Sequence, residues 1–133
     1  MKYELTPDLL TGNALIDTEH RQLFQAINQL TEDCEKGKGR DSLEKTADFL
    51  VSYVAKHFSD EERLQITSKY PAYSTHKQFH EGYKQKLSAA VEEIKQKGPT
   101  IATLGKFNGV VAILVSHIRV EDKRLAAHVK HNS

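Results

Sequence analysis

Apolar residues recur three and four positions apart in four successive stretches of the chain, the spacing of one face of an α-helix. After an irregular N-terminal arm, the first stretch carries Ile16, Leu23, Phe24, Ile27 and Leu30. It gives out at Lys36-Gly-Lys-Gly-Arg40, where two glycines predict a turn. The second stretch holds Leu43, Ala47, Leu50, Val54 and Leu64, and Asp41 with Glu44 at its start has the form of a capping box. The third follows Pro71, which suits a first helical turn, and carries Tyr73, Tyr83, Leu87, Val91 and Ile94 before Gly98-Pro99. The fourth carries Leu104, Phe107, Val111, Leu114, Ile118 and Leu125. The arm then covers about 1–13 and the helices about 14–36, 41–67, 72–97 and 100–128. No stretch alternates with period two, so the expected class is all-α. Short connections between long amphipathic helices predict one domain over residues 1–133, an up-down-up-down antiparallel four-helix bundle.

Polar residues interrupt these stripes where hydrophobes are due. His57 and Glu61 stand in the second, His76 and His80 in the third. A buried seam takes about two positions in seven, so the chance of all four falling there by accident is under about one per cent. His20 is in register with Ile16, Leu23 and Ile27, and His117 and Asp122 flank the Leu114–Ile118–Glu121–Leu125 line on opposite sides. Left without partners, each buried polar group costs about 1–3 kcal/mol. The whole stability of a domain is only about 5–15 kcal/mol. Five imidazoles and two carboxylates suit a borderline transition metal such as iron, with manganese open, and exceed what one tetrahedral zinc needs. Two six-coordinate ions bridged by the carboxylates would use all seven. Taken singly the residues read otherwise: an inward His is commonly a hydrogen-bonded core residue, and the pair Glu61-Glu62 has the look of a solvated face. Only their joint placement points to metal. His128 and His131 lie beyond the pattern and read as surface residues of a polar tail.

Composition narrows the partners. Nineteen Lys and Arg against eighteen Asp and Glu give a net charge of +1, with no basic run, which speaks against nucleic acid and acidic membrane surfaces. The single cysteine, Cys34, excludes an internal disulfide and fits a reducing compartment. The start lacks the apolar stretch of a signal peptide, and no apolar run long enough to cross a bilayer is apparent. A cytoplasmic monomer or weak oligomer is expected.

The segments IDTEHRQLFQAIN around His20, HFSDEE at 57–62, HKQFH at 76–80 and HIRVED at 117–122 resemble the hemerythrin family, most closely its single-domain bacterial kind. The resemblance runs from about Leu5 to Asp122. It implies two iron ions, Fe2+ or Fe3+, with a bridging oxo or hydroxo group. One iron would take His76, His80 and His117 and the other His20 and His57, with Glu61 and Asp122 bridging both. The iron with two imidazoles would keep an open position for O2, in an apolar pocket of Leu23, Phe58, Leu114 and Ile118. Formal charge at such a site is the same before and after O2 takes two electrons, which favours reversible binding over turnover. Tyr83 stands where family members often have Phe, either as a core tyrosine or as a hydrogen-bond donor to a bound ligand. Leu5 and Gln65 replace a frequent Trp and a usual Met. The resemblance therefore implies oxygen storage, delivery or scavenging. The alternatives are a sensor of O2, NO or redox state, or a di-iron enzyme such as a peroxidase or nitric oxide reductase. Only eleven residues follow Asp122, so no fused signalling domain is expected.

Overall fold

The computed structural model describes residues 3–37 and 40–131, apart from the Arg40 side chain. Four long helices account for most of it: α1 (Ala14–Glu35), α2 (Arg40–Thr67), α3 (Tyr73–Lys97) and α4 (Ile101–His117). A π-helical turn, Ile118–Asp122, leads without a break into α5 (Lys123–His131). No strand occurs among the described residues, in line with the all-α reading. Side-chain pairs fix the directions of the helices. Glu19–His57 and Asp33–Thr46 join α1 to α2, Glu62–His80 and Asp48–Lys95 join α2 to α3, and Tyr83–Val110 and Glu93–Lys106 join α3 to α4. In each case one residue number falls as the other rises, so consecutive helices are antiparallel.

The helix ends differ in detail from the sequence reading. Asn13 caps α1 by accepting from the Ile16 N–H at 3.0 Å. Helix α2 already includes Arg40, so Asp41 lies inside its first turn, where its charge meets the positive helix end, and not ahead of it as a capping box requires. Of the glycine turn before it, Gly37 is left-handed at φ 64, while Lys38 and Gly39 lie outside the described residues. Pro71 sits in the α2–α3 turn, before the N-cap Ala72. A capping box does occur, unforeseen, at α4, where Thr100 and Thr103 satisfy one another's backbone N–H groups.

The arm is irregular but fastened. Its Pro7–Leu9 turn is 3-10 helical and buries Leu9. Asp17 accepts from Thr11 N–H, Thr11 O–H and Gly12 N–H, and Asn28 exchanges two 2.7 Å hydrogen bonds with the Tyr3 backbone.

The hydrophobic interior is in two pieces. The larger includes Leu23, Ile27, Val54, Phe58, Tyr83, Leu87, Val111, Leu114 and Ile118. A smaller cluster of Ile16, Leu125 and Ala126, backed by Leu64, Tyr70 and Val129, fills the end nearest the α2–α3 turn. Between them lies the layer of histidines and carboxylates. The smaller cluster also corrects the stripe on α2: the fully buried residue after Glu61 is Gln65, and Leu64 is only partly covered. The continuous rod Ile101–His131 is, by length and composition, apolar enough to span a membrane, which the sequence reading overlooked. Lys106 is the only charged side chain between Ile101 and Ile118, and scattered Thr, Asn and Ser hid the stretch. In the fold this apolar rod supplies Phe107, Val111, Leu114 and Ile118 to the core. The polar tail expected after residue 128 is instead the end of α5. His131 is exposed as expected, but His128 is half-buried, with Nε2 2.6 Å from the Ser68 carbonyl and its ring against Tyr70.

Candidate metal centre

Helical register brings the seven groups together. His57 with Glu61, and His76 with His80, are one turn apart and face the same way. His117 and Asp122 are five apart, and at about 100° per residue an unbroken α-helix would set them about 140° apart. The expectation that they flank the stripe on opposite sides follows from that arithmetic. The π turn Ile118–Asp122 overturns it by absorbing one extra residue, and His117 Nε2 then lies 3.2 Å from Asp122 Oδ1. All seven side chains are buried, His117 being the most accessible at 6%.

Every imidazole presents its Nε2 to the centre. His20 Nε2 lies 2.9 Å from Asp122 Oδ2 and 3.8 Å from Glu61 Oε2; His57 Nε2 lies 3.4 Å from Glu61 Oε2. On the other side, His76 and His80 Nε2 lie 3.7 and 3.2 Å from Glu61 Oε1, and His76 and His117 Nε2 each lie 3.2 Å from Asp122 Oδ1. Each carboxylate thus gives one oxygen to the His76, His80, His117 set and the other to the remaining side, where both meet His20 and Glu61 also meets His57. The donor atoms fall into two groups, His76, His80, His117 and His20, His57, Glu61, Asp122, each with its atoms within 4.8 Å of one another.

These residues fit a cation. His57 Nε2, His80 Nε2, both Glu61 oxygens and Asp122 Oδ1 are buried without a hydrogen bond. Lone pairs left so are costly unless a positive charge takes them. Without metal, protons are the substitute. Burial works against charging His57, but the Glu61 charge and the Glu19 and Glu61 hydrogen bonds outweigh it and raise its pKa to about 10. Burial likewise opposes charge on His76, yet Asp122 carries its pKa upward. Burial and mutual repulsion would neutralise Glu61 and Asp122. The surrounding imidazoles win, and both carboxyls stay below their ordinary values.

Several residues that steady the centre escaped the sequence reading. Glu19, buried on α1, accepts from His57 Nδ1 at 2.8 Å and from Lys56 Nζ at 3.1 Å. Its spacing, three from Ile16 and four from Leu23, marked it as inward, but His20 beside it took that reading. Glu62 does not simply face water: it is half-buried and 3.0 Å from His80 Nδ1. Such outer carboxylates fix the ring and its tautomer, leaving Nε2 for metal. Phe58 stacks on His80 with centroids 3.8 Å apart, and Phe79 stacks on His117 at 3.9 Å.

The apolar residues singled out for a ligand pocket, Leu23, Phe58, Leu114 and Ile118, are all buried in the larger core piece, adjoining the centre. Tyr83 is there too, edge-on to Phe58. Its hydroxyl donates to the Val110 carbonyl at 3.0 Å, and burial raises its pKa. That places it as a core tyrosine with its proton engaged.

A family model described as the hemerythrin HHE cation binding domain matches residues 11–129. The chain is 29% identical over 126 residues to a bacteriohemerythrin of Pseudomonas aeruginosa, covering 94% of this chain and 80% of the relative. A bacteriohemerythrin of Campylobacter jejuni is 28% identical over 88% of this chain and 87% of its own. A myohemerythrin of Sipunculus nudus is 40% identical over 74 residues, 55% of each chain. The match takes in all four helices and every inward histidine and carboxylate described above, and the chain belongs to the hemerythrin family.

Proposed function

We propose that this protein is a non-haem di-iron protein that binds O2 reversibly, serving storage, delivery or scavenging. His76, His80 and His117 would hold one iron and His20 and His57 the other, with Glu61, Asp122 and an oxo or hydroxo group between them. The observation that carries this reading is the division of each carboxylate's two oxygens between the two histidine sets. Five neutral nitrogens and two carboxylates match two iron ions of variable valence. When bound, the pair supplies two Fe2+/Fe3+ couples, enough to lend O2 two electrons and recover them.

The chain's own residues favour binding over turnover. Leu23, Phe58, Leu114 and Ile118 offer no proton and admit little water, so a reduced ligand has no ready proton source. Tyr83 directs its proton to Val110. Glu19 and Glu62 hold the outer nitrogens of His57 and His80, so these rings keep their orientation through a change of valence.

The test is anaerobic. Metal-free protein is loaded with ferrous iron, metal per chain is counted, and the visible spectrum is recorded before air, after air, and after oxygen is removed. Two irons per chain with a charge-transfer band that appears in air and fades on deoxygenation is the expected result. A direct, irreversible passage to a ferric spectrum would replace this reading with the sensor or enzyme alternatives. Fewer than one iron per chain would overturn the centre itself.

A further inference from the structure

Gln65 has no part in the ligand set, yet its side chain is wholly buried and neither amide atom has a protein partner. A side-chain amide brings two donor hydrogens and an acceptor oxygen, and leaving them all unmet inside a core is among the least favourable arrangements available to it. Its place is fixed. Gln65 follows Glu61 by one helical turn on the same face of α2, and Tyr70 N–H donates to its carbonyl at 2.8 Å. The Tyr70 ring in turn meets the His76 ring edge-on at 6.3 Å. Ser68, three residues on from Gln65, has a buried hydroxyl that is also without a partner.

The metal layer shows the complementary lack. His57 and His80 have carboxylates on their outer nitrogens, but the buried Nδ1 atoms of His20 and His76 have no protein partner. An imidazole that ligates through Nε2 carries its proton on Nδ1, and that proton needs an acceptor. Buried donors and acceptors that do not bond one another are what an internal water joins, given two to four polar partners.

We propose that Gln65 and Ser68 hold an internal water that accepts the outer N–H of His76, making Gln65 a positioning residue of the metal centre. This rests on the reading of His76 as an Nε2 ligand; the water site itself does not. The centre then has two kinds of imidazole: His57 and His80 backed by negative charge, and His76 backed by a neutral, hydrated amide. The neutral backing leaves His76 a weaker electron donor than His80 on the same iron.

The experiment has two readouts on the full chain, native, Gln65→Met and Ser68→Ala. Oxygen-17 relaxation dispersion counts long-lived internal waters in the metal-free and zinc-loaded proteins. Both substitutions should remove one water in both states, and equal counts in native and Gln65→Met would overturn the water site. In the ferrous protein, Gln65→Met should shift one exchangeable imidazole N–H signal and leave those of His57 and His80 in place. It should also speed iron loss to a chelator about tenfold. A lost water with unmoved N–H signals and unchanged iron release would overturn the positioning role. Failure of the chain to take up two metals would count against the di-iron reading while leaving the metal-free water count intact as a test.

Discussion

The interior on the two sides of the ligand layer is built from different chemistry. Toward the Lys97–Ile101 connection it is hydrocarbon and aromatic ring, with Leu23, Phe58, Leu114 and Ile118 buried against one another. Toward the α2–α3 turn the buried apolar cluster among the described residues is Ile16, Leu125 and Ala126, and there Gln65 and Ser68 leave amide and hydroxyl groups without a protein partner. A symmetric bundle would treat its two ends alike. This one keeps protons away from one face of the centre and supplies hydrogen-bonding groups at the other, so one plane of ligands meets two different media.

Substitutions on either side should separate these roles, and the largest effect belongs to the apolar side. Leu114→Ala opens a cavity in a fully buried position and should cost about 2–5 kcal/mol in urea unfolding. The same variant should shorten the life of the oxygenated form, because the pocket then admits water. A destabilised variant with unchanged autoxidation would show that the apolar wall is packing alone. Glu19→Gln acts within the layer, weakening the partner of His57 without changing its shape, and should raise iron release to a chelator by about 10–100-fold. Equal release rates would mean that Glu19 serves only Lys56 and the helix surface.

Acidity probes the layer without mutation. In the metal-free protein the His57 pKa is raised from 6.5 to about 10, and His76 is raised as well. Their contribution to stability is complete below about pH 6.5 and lost as the pH climbs toward 10. Glu61 and Asp122 are held below 4.5 and 3.8, so their contribution is present above those values and lost on acidification. The metal-free protein should therefore be most stable between about pH 4.5 and 6.5, with a urea midpoint that falls toward pH 10. The iron-loaded protein, whose ligand nitrogens are already deprotonated, should lack that alkaline loss. A flat midpoint for the metal-free protein from pH 6.5 to 10 would contradict the protonated layer. The smallest change expected is Tyr83→Phe, which removes one hydrogen bond to Val110 and about 1 kcal/mol, with no change in autoxidation. A changed autoxidation rate would return the phenol to the site chemistry.

Much of this was legible in the sequence because the bundle and the layer share one code, the three-and-four spacing of inward positions. Ile27, Leu50, Leu87 and Val111 announced the core by it, and His57, Glu61, His76 and His80 announced the layer by interrupting it. What escaped depends on contacts between helices or on departures from ideal helical geometry. Glu19 and Glu62 look like surface acids until α1 meets α2 and α2 meets α3. Gln65 was displaced in the reading by Leu64, since after Glu61 a step of three and a step of four are equally regular, and only packing against the α2–α3 turn chooses between them. His128 read as tail because its acceptor, the Ser68 carbonyl, is sixty residues away.

The π turn at Ile118–Asp122 has a consequence for anyone wishing to build this centre elsewhere. A design template of ideal straight helices cannot hold His117 and Asp122 five residues apart with both looking inward, however well its other three helices are copied. A graft that kept this spacing on a straight helix would deliver five imidazoles and a single carboxylate, because nothing would absorb the surplus residue. Conversely, deleting one residue between His117 and Asp122 should straighten the turn into α-helix and leave the two ligands four apart on one face, as His57 and Glu61 are. The spacing of five and the π turn that accommodates it are therefore one part, and a list of ligands shows only half of it.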